Sequence, residues 1–169
     1  MKSALIGACL ALMTTAVTAQ PLNPLWHGTW SGGQQPIVIN AEGVQGCAWV
    51  GARPEQDYEG CVSFYGDSID RSDIAAVIES EKLLLEQGLT AGFIMKEFEA
   101  ETKATMAQNE QLLAQIPDRR YRTVSIEEAL GRDSGDCWSY MILDQDTLYR
   151  LSQCEGPAEP SLEIVRYTK

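Results

Sequence analysis

Two stretches with strand-like patterning flank a helical middle, and that order restricts what this chain can fold into more than any other feature. Ile37-Val38-Ile39-Asn40 and Val44 through Val50 flank a turn at Asn40-Ala41-Glu42-Gly43, which reads as a hairpin. Residues 51–68 carry Gly51, Pro54, Gly60 and Gly66 and read mostly as loop, with a short strand over Cys61–Tyr65. Ser72 is placed to cap a helix from Asp73 to Gln87 that ends at Gly88, with Ile74, Val77, Ile78 and Leu85 on one face. A second helix is expected from Ala91 to Ile116, stopped by Pro117, with an intermittent apolar stripe at Ile94, Phe98, Met106, Leu113 and Ile116. Strand patterning returns over Tyr121–Ile126, Cys137–Leu143, Leu148–Cys154 and Leu162–Thr168. Strands, then helices, then strands predict an α+β fold. The expectation is an antiparallel sheet, open or barrel-like, built from the N- and C-terminal thirds with two inserted helices and two disulfides.

The first 19 residues read as an export signal. Lys2 forms a charged start, an uncharged stretch follows, and Val17-Thr18-Ala19 offers a small-residue cleavage site before Gln20-Pro21. The stretch is too short and too rich in Ala and Thr for a bilayer-spanning helix, which needs roughly 20 predominantly apolar residues. The expected organisation is a signal peptide over 1–19 and one disulfide-bonded domain over 20–169, in the periplasm or outside the cell. Loss of Lys2 takes the formal charge from −11 to −12. An acidic surface excludes the phosphate neutralisation on which nucleic-acid binding rests. It favours solubility and attraction to basic partners.

Cys47, Cys61, Cys137 and Cys154 follow the leader. An even set in an oxidising compartment favours disulfides, and no C-x-x-C spacing suggests zinc, so no metal is expected. If Gln145 and Asp146 form a two-residue turn, Asp144 faces Thr147, Met141 faces Arg150 and Cys137 faces Cys154. Counting along the strands puts that last pair at a non-hydrogen-bonded position, where α-carbons approach closely enough for a bridge. The predicted pairing is Cys137–Cys154, leaving Cys47–Cys61. The same register sets Trp138, Tyr140, Ile142, Tyr149 and Leu151 on one face, either as the core side of a sheet or as a platform for a ligand or partner.

No motif assigns catalysis. His27 is the only histidine, so any imidazole chemistry must pass through it. No serine lies in a G-x-S-x-G elbow, and no glycine motif cradles phosphate. Asp67, Asp70 and Asp73 recur every three residues, unlike a calcium loop, and suit a helix start. No catalytic residue or cofactor is assigned. Gly28-Thr29-Trp30 resembles the G-x-W of lipocalins, which implies an antiparallel sheet with an interior pocket for a small apolar ligand. The helical middle departs from that family's run of eight strands before a C-terminal helix. Three functions follow as expectations: an acidic inhibitor or adaptor of a basic protein, a small apolar-ligand carrier, or a two-carboxylate hydrolase.

Overall fold

The computed structural model describes residues 20–54, 60–92, 96–128, 137–154 and 162–169. Strands β1 (Gly28–Trp30), β2 (Ile37–Ile39), β3 (Gly43–Val44), β4 (Cys47–Ala52) and β5 (Cys61–Asp70) precede helices α1 (Arg71–Ala91) and α2 (Lys96–Leu113). Strands β6 (Arg120–Glu128), β7 (Cys137–Asp144), β8 (Thr147–Cys154) and β9 (Leu162–Thr168) complete the chain. The nine strands lie side by side in chain order. Every pairing is antiparallel except β4 with β5. The fold is α+β, with a mostly antiparallel sheet.

Local chemistry explains where the strands break. Asn40 Oδ1 accepts from the N–H groups of Glu42 and Gly43 at 2.8 and 3.1 Å, turning the chain into β3. The expected strand over Val44–Val50 is two strands instead. Gln45 (φ 52°) and Gly46 (φ 84°) adopt left-handed conformations and reverse the chain between β3 and β4. Strand β5 runs to Asp70 rather than ending near Tyr65, because β6 pairs with it out to Asp70↔Arg120. The β7–β8 hairpin has the expected register, from Asp144↔Thr147 to Cys137↔Cys154. Its turn is the two-residue one, with Gln145 at φ 52°.

The first helix starts and stops outside its expected bounds. Asp70 caps it, not Ser72: the Asp73 carboxylate accepts from the Asp70 N–H at 2.8 Å within a capping box. Gly88 is absorbed into the helix, whose end is Gly92 in the left-handed conformation (φ 75°). A mid-helix glycine costs about 1 kcal/mol relative to alanine. Leu85 before it and Leu89 after it both pack on the core, which offsets that cost.

Strand alternation sends the same segments into two cores. On one face, Ile142, Tyr149, Leu151 and Ile164 meet Ile74, Ile78 and Leu85 of α1, Met106 of α2, and Ile116 and Tyr121. On the other, Trp30, Ile37, Ile39, Val44, Val124, Met141 and Leu148 pack together with Leu22, Trp26 and Tyr167. Tyr140 through Leu143 is apolar at every position because β7 faces a core on both sides.

The sheet is not closed into a barrel. Its edges, β1 and β9, meet at one isolated bridge, Ser31↔Thr168, rather than along a ladder. Strand β1 has three residues, and the chain beyond it crosses over β9: a Cβ on Gly32 would lie 2.1 Å from the Arg166 carbonyl oxygen. Edge strand β9 is covered from the helix layer, where buried Asn109 Oδ1 accepts the Ile164 N–H at 3.0 Å.

Of the two expected disulfides, Cys47–Cys61 is present, with a Cα–Cα distance of 4.7 Å. The Cys137–Cys154 bridge falls on side chains outside the described residues, although their backbones sit opposite one another.

Candidate functional site

Strand β6 alternates Val124 and Ile126 with Thr123, Ser125 and Glu127. The apolar pair belongs to the core built around Trp30. The polar set emerges on the face that carries the helices, and there it lines a cleft of about 820 Å³. Phe64 and Ile69 of β5 and Tyr140 of β7 contribute the apolar walls, and Arg53, following β4, stands at the rim. The cleft lies within the roughly 300–1,000 Å³ of small-molecule sites.

A glycine lets β6 pack closely on β5 at its floor. A Cβ on Gly66 would lie 2.5 Å from Thr123 Oγ1 and 2.9 Å from Ser125 Oγ, so any larger residue would displace both hydroxyls. Strand β5 shifts register between Tyr65 and Ser68, and this irregularity brings Asp67 to the cleft. Thr123 Oγ1 donates to the Asp67 carbonyl at 2.7 Å, which fixes the bulge. At the rim the Arg53 guanidinium donates twice to Glu127, Nη2 to Oε1 at 2.9 Å and Nε to Oε2 at 3.2 Å. Both side chains are exposed enough that the pair adds little stability. Its bidentate plane fixes the position of both groups.

The residues singled out from the sequence divide between cleft and core. Tyr140 lines the cleft. Ile142, Tyr149 and Leu151 are buried beneath the helices. The side chain of Trp138 lies outside the described residues. His27 does not line the cleft; its Nε2 is buried with no hydrogen-bond partner among the described residues. Asp67, Asp70 and Asp73 do not converge: the first lines the cleft and the others build the helix start. Among the described residues no three His, Cys, Asp or Glu side chains group as metal ligands. Arg53, Phe64, Gly66, Thr123, Ser125 and Glu127 were not singled out from the sequence. The two-residue polar period of Thr123, Ser125 and Glu127 is the signal that points to them.

Comparison with known proteins finds no family model, no characterised protein and no solved structure that matches this chain. The site therefore rests on its own chemistry.

Burial, and then the Asp73 carboxylate, hold the Tyr140 phenol above its ordinary value, and burial does the same for Tyr149. Both tyrosines are neutral in the fold. The stability this represents is complete below the unfolded value of about 10 and is lost as pH rises through the higher folded values. The urea midpoint is expected to fall from about pH 10 upward, and Tyr140→Phe should reduce that slope. An identical slope in wild type and variant would contradict the assignment to Tyr140.

Proposed function

We propose that the chain is an exported, non-enzymatic binding protein whose ligand seat is the cleft over β5, β6 and β7. The observation that carries this reading is the mixed lining of the cleft, the half-buried Ser125 hydroxyl set beside the apolar walls of Ile69 and Tyr140. Convergent polar groups set among apolar walls are the usual form of a small-molecule site. The Cys47–Cys61 disulfide supports an oxidising compartment, as does the expected leader. The test is an NMR screen of a fragment library against the oxidised protein. Hits should perturb the amides of Gly66, Ser125 and Tyr140. Ser125→Trp, which fills the cleft, should abolish them while the variant still unfolds cooperatively. Hits that ignore those amides, or that survive Ser125→Trp, would sink the reading.

A second reading, an acidic inhibitor or adaptor of a basic protein, draws on a different surface. Leu83 and Leu84 stand side by side on α1 at 52 and 59% exposure, among Glu79, Glu81 and Glu86. Apolar side chains within an acidic rim suit a protein contact. Such binding would weaken with salt and with Leu84→Asp, and would ignore Ser125→Trp.

A further inference from the structure

We infer that the cleft ligand is a neutral saccharide, bound by its ring face and its hydroxyl edge together; this inference rests on the cleft being a ligand seat. The lining argues by elimination. An anionic ligand would need cations, and among the described residues lining the cleft Arg53 is the sole Lys or Arg, its guanidinium already engaged by Glu127. A cationic ligand would need a desolvated carboxylate, whereas Asp67 is exposed and Glu127 already faces Arg53. A wholly apolar ligand would cover the half-buried Ser125 hydroxyl and strip its water without replacing it.

What remains is a molecule with an apolar face and a rim of hydroxyls. Tyr140, half-buried on the cleft wall, supplies a flat, polarisable surface for the C–H face of a sugar ring. Ser125 Oγ serves as donor or acceptor, while the buried Thr123 Oγ1 gives its proton to the Asp67 carbonyl and fixes the floor beneath it. The bidentate Arg53–Glu127 pair stands exposed at the rim, a set of donors and acceptors that vicinal hydroxyls match. Gly66 is what lets the Thr123 and Ser125 hydroxyls pack against β5 at the cleft floor.

The experiment titrates the full chain, exported with its own leader and oxidised, with a panel of neutral methyl glycosides and unmodified disaccharides, followed by calorimetry and NMR. Palmitate, spermidine and inorganic phosphate serve as apolar, cationic and anionic probes. The expected result is saturable binding of at least one saccharide that perturbs Gly66, Ser125 and Tyr140. Its affinity should be unchanged between low and high salt, because no net charge is recognised. Ser125→Ala should weaken it about threefold to tenfold, and Gly66→Val by more than about tenfold. Ser125→Ala is isosteric enough to keep the test valid if Gly66→Val fails to fold. Binding of palmitate, spermidine or phosphate at those amides, with no saccharide binding, would overturn the saccharide class and keep the cleft as a seat. Silence at those amides from every probe, and from the fragment library as well, would overturn both.

Discussion

Trp30→Ala is expected to cost about 3–5 kcal/mol, a large part of the 5–15 kcal/mol that holds most domains folded. Trp30 is fully buried in a strand of only three residues. Its indole reaches across the second core to Ile37, Ile39, Val44, Val124, Met141 and Leu148. Truncation leaves a cavity where the first strands meet the last ones, and the sheet's own pairing has little means to collapse it. A second loss adds to the first. Trp30 Nε1 donates to the Trp26 carbonyl at 2.8 Å in a buried position, so alanine leaves that carbonyl without its donor. Lys169 Nζ stands 4.8 Å from the ring centroid and loses a cation–π partner that contributes about 0.5–1 kcal/mol where exposed. Trp30→Phe separates these effects: it keeps most of the packing and is expected to cost about 1–3 kcal/mol. The measurement is the urea midpoint and slope of the two variants. A loss below about 1 kcal/mol for alanine would mean that β1 is dispensable to the second core.

The same tryptophan shows how far the sequence could be read. Its neighbours Gly28 and Thr29 resemble a small-barrel opening, and the residue is fully buried in the second core of a sheet that does not close. Closure is what the tripeptide could not report. It depends on how β1 meets β9, two strands more than a hundred residues apart in the chain, and on Gly32 crossing Arg166. The 137–154 hairpin was legible because its register follows from a turn and an alternation, both local. Helix α1 was legible in kind and not in extent. Asp70 out-competes Ser72 because Asp73 reciprocates it, and Gly88 stays helical because of leucines whose partners lie on other elements.

The cleft was the least legible part. Thr123, Ser125 and Glu127 advertise a polar face, but nothing in β6 says that Tyr121 and Thr123 are buried while Ser125 and Glu127 stay part-exposed in the cleft. That boundary is set by where α1 leaves β5, at Asp70 and Arg71. The role of Gly66 is equally nonlocal. Its lack of a side chain matters because two hydroxyls of a strand 57 or more positions later lie within 3 Å of where a Cβ would stand. Tyr140 and Tyr149, placed on one face by register, differ in exposure: Tyr149 is buried in the helix-side core, whereas Tyr140 packs at that core's margin and also lines the cleft.

Removing the Cys47–Cys61 bridge is expected to cost about 3 kcal/mol, the entropy of opening a loop whose ends are 14 residues apart. For a domain of this size that corresponds to a fall in melting temperature of about 6–12 °C. The bridge joins the first residues of β4 and β5, the one parallel pairing in the sheet. Parallel neighbours usually need a connection of a dozen or more residues, and here residues 53–60 make it. The register of β4 on β5 is held by their ladder, by the edge-on contact of the Trp49 and Tyr65 rings at 4.5 Å, by the bond from Ser63 Oγ to the Cys47 carbonyl at 3.0 Å, and by the covalent tie at its start. Phe64 and Gly66 lie on the same strand, so loosening β5 should also disorder the cleft. Cys47→Ser/Cys61→Ser is therefore expected to weaken any cleft ligand along with the fold. A melting temperature within about 2 °C of wild type would refute the tie's importance. The same variant isolates the other cysteines. Cys137 and Cys154 are backbone partners, so an added reductant should lower its melting temperature again, by a similar amount for a loop of similar length. No response to reductant, with free thiols at both positions by peptide mapping, would show that this pair is unbridged and that the hairpin holds its register through its turn and side chains alone.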